Sequence, residues 1–193
     1  SGEMVRAILA GTKTMTRRVV KPQPDRYIDG EPYWSFGGYR LRASATNPLR
    51  CPFGQPGDTL WVRETWACDS DINNGRPIEY RATWKCERDF PGVPCEHGPD
   101  RWRPSIHMPR WASRLTLDIT GVRVERLQDI TEEDARAEGV TPAPFCKSGR
   151  PARQEHVEAF ESLWREINGA ESWGANPWVW VVSFKRINAG HDH

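Results

Sequence analysis

Arg114-Leu115-Thr116-Leu117-Asp118-Ile119-Thr120-Gly121-Val122-Arg123-Val124-Glu125-Arg126-Leu127 is the stretch on which the fold turns. Leu115, Leu117 and Ile119 alternate with polar residues, the period of a strand with one buried face. Val122 and Val124 then alternate on the opposite parity, with Gly121 at the change. A one-residue slip turns every following side chain to the other face, so the pattern predicts one long strand over 114–127, bulged or bent at Gly121. Strands bent in this way close sheets into barrels. Downstream, Pro177-Trp178-Val179-Trp180-Val181-Val182-Ser183-Phe184-Lys185-Arg186 is apolar at both parities, the composition of a central strand covered on each side. Upstream, Pro56-Gly57-Asp58 turns into a β-branched and aromatic run over 59–66. Its alternation sets Leu60, Val62, Glu64 and Trp66 on one face, so Glu64 falls among apolar neighbours.

Three helices are predicted around these strands. The first, over 4–10, carries Val5, Ile8 and Leu9 on one face and stops at Gly11. A short one over 131–139 has Thr131 as N-cap, Asp134 three residues on in a capping-box pattern, and Gly139 as terminator. The longest, over 152–167, has an apolar stripe of Val157, Phe160, Leu163, Trp164 and Ile167. Residues 22–58 and 69–100 are rich in proline, glycine and turn residues and read as two long excursions, with short strands around 33–41 and 78–82. The expectation is an α+β protein, one domain over 1–187, with residues 188–193 as a flexible tail.

Composition narrows the partners. The 193 residues hold 27 Lys and Arg against 26 Asp and Glu, so a net charge of +1 provides no global attraction to nucleic acid and any basic surface is local. A mean hydropathy of −0.72 and the lack of a long apolar run exclude a spanning helix. The opening residues read as a polar helix, so neither a signal nor a transit peptide is expected. Five cysteines without a C-x-x-C pair point to reduced thiols in a cytoplasm. Cys86, Cys95 and His97 can be read as zinc ligands, but their spacing fits no standard finger and a fourth ligand is missing, so no metal and no cofactor is assigned. P-loops, dinucleotide fingerprints and repeats are absent. Ten tryptophans suit either a compact core or a base-stacking surface.

Three places carry candidate chemistry. Gly11-Thr12-Lys13-Thr14-Met15-Thr16-Arg17-Arg18 packs one ammonium, two guanidinium groups and three hydroxyls into a helix-to-strand connection. That set suits an anionic or carbonyl-bearing target, and it equally suits a solvated basic loop. Arg101-Trp102-Arg103-Pro104-Ser105-Ile106-His107-Met108-Pro109-Arg110-Trp111-Ala112-Ser113-Arg114 interleaves four arginines and two tryptophans with no acid. A single-stranded nucleic-acid groove uses such a mixture, and so does a surface turn whose tryptophans are core. Glu138 sits in the last turn of an otherwise well-charged helix, where the macrodipole opposes a carboxylate; it is either a functional group or a plain surface acid.

The chain resembles the ASCH family, the domains related to the activating-signal-cointegrator homology module. Gly11-x-Lys13 with Thr16 and Arg18 matches the family's G-x-K-x-x-x-x-R signature, and the Pro56-Gly57-Asp58 turn and the closing apolar strand fit as well. Within the family it is similar to a subgroup common in phage and prophage genomes, through Trp61-Val62-Arg63-Glu64-Thr65-Trp66, Pro104-Ser105-Ile106-His107-Met108-Pro109-Arg110-Trp111 and Asn176-Pro177-Trp178-Val179-Trp180. The resemblance covers nearly the whole chain and implies a PUA-like mixed β-barrel with flanking helices. Some small ASCH members are N4-acetylcytidine amidohydrolases, and their active residues fall by motif position on Lys13, Thr16 and Glu138. The trio suits amide hydrolysis, with a hydroxyl as nucleophile or oxyanion donor, a lysine as base and a carboxyl as proton shuttle. Those enzymes lack the two long excursions and the Arg-Trp stretch, and other members are RNA-binding or ribonuclease-like.

The expectation is therefore a cytoplasmic protein that binds RNA or a modified nucleoside. Lys13, Thr16 and Glu138 are its candidate catalytic residues. Gly11, Arg17, Arg18, Arg63 and Glu64 are candidates for substrate binding, and Arg101, Trp102, Arg103, His107, Arg110 and Trp111 for the nucleic-acid surface. The alternatives are a non-catalytic RNA-binding module and a ribonuclease with Glu64 and Glu138 on a divalent metal.

Overall fold

Strand β9 (Trp178–Ile187) is the central member of the largest sheet in the computed structural model of the protein, which describes residues 1–24, 26–28, 31–36, 39–42, 51–68, 78–85, 99, 101–142 and 155–187. Its neighbours are β1 (Met15–Val19) and β8 (Thr116–Arg126), with β5 (Thr59–Trp61) beyond β8, in the order β1-β9-β8-β5. The sheet is antiparallel and curled into a half-barrel, and the chain is α+β. The double apolar face of β9 is used on both sides. Val179 and Val181 pack with Met15, Leu127, Phe160 and Trp164, while Trp180 and Val182 pack with Val20, Cys51 and Ile119.

Strand β8 is unbroken, and its parity change is real. Ile119, Val122 and Val124 all contribute to one cluster although Ile119 and Val122 are three apart, and Leu127 joins the opposite one. The turn before β5 is pinned to this strand by Gly57 N–H donating to the Ile119 carbonyl and Ile119 N–H donating to the Asp58 carbonyl, each at 2.9 Å. Gly54 closes that corner at φ +117°, where a Cβ would lie 2.8 Å from Ile119 Cδ1.

The chain divides into two compact units, one of Ser1–Gly11, Trp61–Leu117 and Arg186–His193, the other of Thr12–Leu60 and Asp118–Lys185. The second unit holds α2 (Glu132–Ala137) and α3 (Glu155–Asn168). Thr131 Oγ1 caps α2 by accepting from Asp134 N–H at 3.1 Å, as expected, but the Asp134 carboxylate does not complete the box; it is drawn to Arg17 and Arg123. On α3, Phe160 and Trp164 are buried and Val157 and Leu163 pack against them. Ile167, expected in the same stripe, is 70% exposed, because the last turn of α3 outruns the core it packs on. The first excursion contains a three-stranded antiparallel meander, β2 (Arg26–Ile28), β3 (Glu31–Phe36) and β4 (Tyr39–Arg42), more sheet than its proline and glycine content suggested.

In the first unit, α1 (Gly2–Leu9) buries Val5 and Ile8 and ends where Gly11 adopts φ +76°. The strand expected over 59–66 is split. After β5 the chain leaves one sheet, and Trp66 exchanges backbone hydrogen bonds with Arg103, opening β6 (Trp66–Ala67) against β7 (Glu79–Tyr80). Beyond Tyr80 the chain turns through Arg81–Thr83 instead of continuing as a strand to 82. Among the described residues, no helix is long and apolar enough to cross a membrane. The expectations for Cys86, Cys95 and His97, for most of the 69–100 excursion and for the tail at 188–193 lie outside the described residues.

Candidate functional site

Strand alternation puts Met15 and Arg17 on the buried face of β1 and Arg18 on the open one. Arg17 is thus an arginine in a core position, 1% exposed and opposite Val181. A buried guanidinium demands acceptors, and three carboxylates supply them. Arg17 Nη2 donates to Glu125 Oε1 and to Asp134 Oδ2, each at 2.6 Å, and Nη1 donates to Glu138 Oε1 at 3.3 Å. The Arg17 guanidinium carbon also lies 5.9 Å from the centre of the Phe160 ring. Arg123 bridges the outer side, donating to Glu125 Oε2 at 2.8 Å and to Asp134 Oδ2 at 2.6 Å.

Lys13 completes the group. Its ammonium donates to Glu138 Oε2 at 2.8 Å, to the Glu138 carbonyl at 2.7 Å and to the Met15 carbonyl at 2.8 Å. The cluster so formed has three cations, Lys13, Arg17 and Arg123, and three carboxylates, Glu125, Asp134 and Glu138. Burial lowers the Lys13 pKa below its ordinary 10.5; the Glu138 carboxylate opposes that shift, and Arg18 and Arg17 add to it. The geometry nevertheless fits the charged form, since three acceptors take the three ammonium protons and leave a free amine's lone pair nothing to do.

The structure therefore brings Lys13, Arg17 and Glu138 together and sets Thr16 apart. Thr16 and Arg18 occupy the other parity of β1, and Thr16 Oγ1 accepts from Arg18 Nη1 at 2.9 Å. A cavity of about 350 Å³ lies beside the cluster, lined by Thr12, Arg136, Ala137, Gly139, Val140, Thr141 and His156. Lys13, Thr16 and Glu138 are not among its walls.

In the first unit, Glu64 is 3% exposed, and both its oxygens accept from Arg114, Oε1 from Nε and Oε2 from Nη2, at 2.9 Å each. The Arg114 guanidinium carbon lies 3.9 Å from the centre of the Tyr80 ring, whose hydroxyl donates to the Ala112 carbonyl at 2.9 Å. Glu64, a candidate for substrate binding, thus has both carboxylate oxygens engaged by Arg114. For the metal-nuclease reading, Glu64 and Glu138 each have both oxygens engaged by cations, and among the described residues no His, Cys, Asp and Glu group has the arrangement of a metal site.

The acid-free stretch makes a continuous surface in this unit. Trp66 is buried and meets the Trp111 ring edge-on at 5.9 Å and 85°, while Arg103 lies over Trp66 at 5.0 Å. Arg63 and Arg110 lie over Trp61 at 4.6 and 5.8 Å, and Arg63 Nη1 donates to the Ile106 carbonyl. Trp111 is 62% and Ile106 70% exposed, and Arg101, Arg103, His107 and Arg110 are exposed with them. Trp102 is half-buried, edge-on to Trp84 and under Arg81 at 5.2 Å, so it is more wall than platform.

Sequence reasoning missed Arg114, Arg123, Glu125 and Asp134 as partners, and Arg136 and His156 as cavity walls. The usable signal was Arg17 itself, at the buried parity of an apolar alternation. Comparison of the chain with protein families, with curated proteins and with solved structures finds no match.

Proposed function

We propose that the protein is an RNA-binding module of the ASCH type on a PUA-like barrel, taking single-stranded RNA or a modified nucleoside on the Arg-Trp surface of its first unit. The observation that carries this reading is Trp111, a ring 62% exposed yet braced edge-on by the buried Trp66. Large aromatic side chains left open on a fixed scaffold are base-stacking platforms, and Arg63, Arg103 and Arg110 around it supply phosphate contacts. The curled antiparallel half-barrel fits a barrel of this kind, and the resemblance of the sequence blocks quoted above suggests the family.

Fluorescence anisotropy with a labelled single-stranded RNA tests it. Trp111→Ala weakens binding by about 1–3 kcal/mol per stacked base. Arg103→Ala with Arg110→Ala lowers the slope of log affinity against log salt by about 1.4, two phosphate contacts at about 0.7 each. Unchanged affinity and slope in both variants sink the proposal.

A second reading, hydrolysis of an acylated nucleobase by Lys13, Thr16 and Glu138, draws on the lowered Lys13 pKa and the 2.8 Å pair with Glu138. Against it stand the saturated ammonium and the position of Thr16 on the other parity of β1. On this reading Glu138→Gln lowers turnover of N4-acetylcytidine by about 10²-fold or more. If the parent does not cleave that substrate, or if the variant cleaves it equally well, the cluster is structural.

A further inference from the structure

Among the described residues, the cavity of the second unit is lined by one guanidinium, Arg136, one imidazole, His156, and no carboxylate. Two acids close to it, Glu138 and Glu132, are already engaged. Glu138 holds Lys13 and Arg17, and Glu132 accepts from His156 N–H at 3.0 Å and from Val157 N–H at 3.3 Å while meeting His156 Nδ1 at 2.7 Å. That last contact settles the imidazole. Nδ1 donates to the carboxylate, so it cannot accept from Arg136 Nε, which stands 3.5 Å away. Among the described residues, the two terminal nitrogens of the exposed Arg136 guanidinium have no protein acceptor and His156 Nε2 has no partner. Elsewhere Arg17, Arg114 and Arg123 each close on carboxylates.

We infer that this cavity binds the phosphate monoester of a small organic ligand. The guanidinium fork meets the phosphoryl oxygens, His156 Nε2, the lone-pair nitrogen of the Nδ1–H imidazole, accepts from the P–OH of the monoanionic ester, and the hydroxyls of Thr12 and Thr141 add polar contacts at the rim. Ala137, Gly139 and Val140 form an apolar wall for the organic part. At about 350 Å³ the space lies at the lower end of the range of small-molecule sites and exceeds what a bare anion needs. The site is independent of the Trp111 surface, which belongs to the other unit.

Isothermal titration calorimetry with ribose 5-phosphate, cytidine 5′-monophosphate, cytidine and inorganic phosphate tests the inference. Ribose 5-phosphate has no base to stack on Trp111 and isolates the cavity. The expected result is binding of both esters, weaker binding of inorganic phosphate and none of cytidine at this site. Arg136→Ala weakens ribose 5-phosphate at least tenfold, Arg136→Lys restores part of the loss, and Trp111→Ala changes nothing. Arg136 is exposed, so its variants keep the parent's thermal midpoint and a loss of binding is not a loss of fold. His156→Gln gives a second weakened variant. Absence of ester binding, or ester binding indifferent to Arg136→Ala and His156→Gln, overturns the proposal. Inorganic phosphate bound as tightly as the esters overturns its organic part. Failure here leaves the RNA reading standing, since that is judged by Trp111→Ala on RNA.

Discussion

Glu138 occupies the C-cap of α2, where the macrodipole opposes a carboxylate, and its two oxygens lie against Lys13 and Arg17. As a surface acid it would cost a few tenths of a kcal/mol, and its removal would stabilise the fold slightly. Buried at 4% exposure between two cations, it has the opposite sign of effect. Glu138→Gln leaves Lys13 and Arg17 under-compensated, and urea unfolding is expected to show a loss of about 3–5 kcal/mol. A gain in stability would mean that the cluster is not formed in solution. Glu132 has a different lever, pH. Burial pushes its carboxyl up, but hydrogen bonds from His156 N–H, the His156 ring and Val157 N–H outweigh that and bring the pKa below its ordinary 4.5. A depressed acid stabilises the folded state above the unfolded value and loses that contribution as pH falls through the folded one. The thermal midpoint of the parent should therefore exceed that of Glu132→Gln above pH 4.5 and converge on it at lower pH.

Among the elements, α3 shows how far a periodic pattern reaches. Val157, Phe160, Leu163, Trp164 and Ile167 share one stripe by spacing, yet Trp164 is 6% and Ile167 70% exposed. Trp164→Ala should cost about 3–5 kcal/mol, whereas Ile167→Ala should stay within about 0.5 kcal/mol, measured by the same denaturant titration. Equal losses would place Ile167 in a covered interface. Spacing identifies which side chains share a face, but how much of that face finds a partner depends on what packs opposite. The same limit split the 59–66 run: its β-branched and aromatic content was legible, and the exchange of Trp66 from one sheet to another through Arg103 was not. The corner at Gly54 follows the rule in the other direction, since its turn composition was visible but the approach of Ile119 to 2.8 Å of a would-be Cβ was not. Gly54→Ala should lose about 1–3 kcal/mol through strain.

Across the whole molecule, stability and the proposed recognition are assigned to different side chains even within one unit. Trp111 is 62% exposed and Trp66 2%, although their rings touch. Trp111→Ala is expected to weaken RNA binding while moving the thermal midpoint little, and Trp66→Ala to destabilise by about 3–5 kcal/mol; a Trp111→Ala variant that unfolds like Trp66→Ala would return the stretch to a core role. By itself the sequence determined the strands of the half-barrel, the parity change at Gly121, the doubly covered closing strand, the helix caps at Thr131, Gly11 and Gly139, and the local basic stretches. Each of these is written in neighbouring residues, through a period of two or 3.6 or a backbone angle that only glycine takes easily. Only the tertiary structure decided that Glu64 is held by Arg114 fifty positions away, and that Arg17 binds Glu125, Asp134 and Glu138, all more than a hundred positions away. It likewise decided that Lys13 spends all three protons within the fold and that Arg136 lines the cavity. Charge pairing is a matter of which distant side chains share a few ångströms of low-dielectric space, and no local period encodes it.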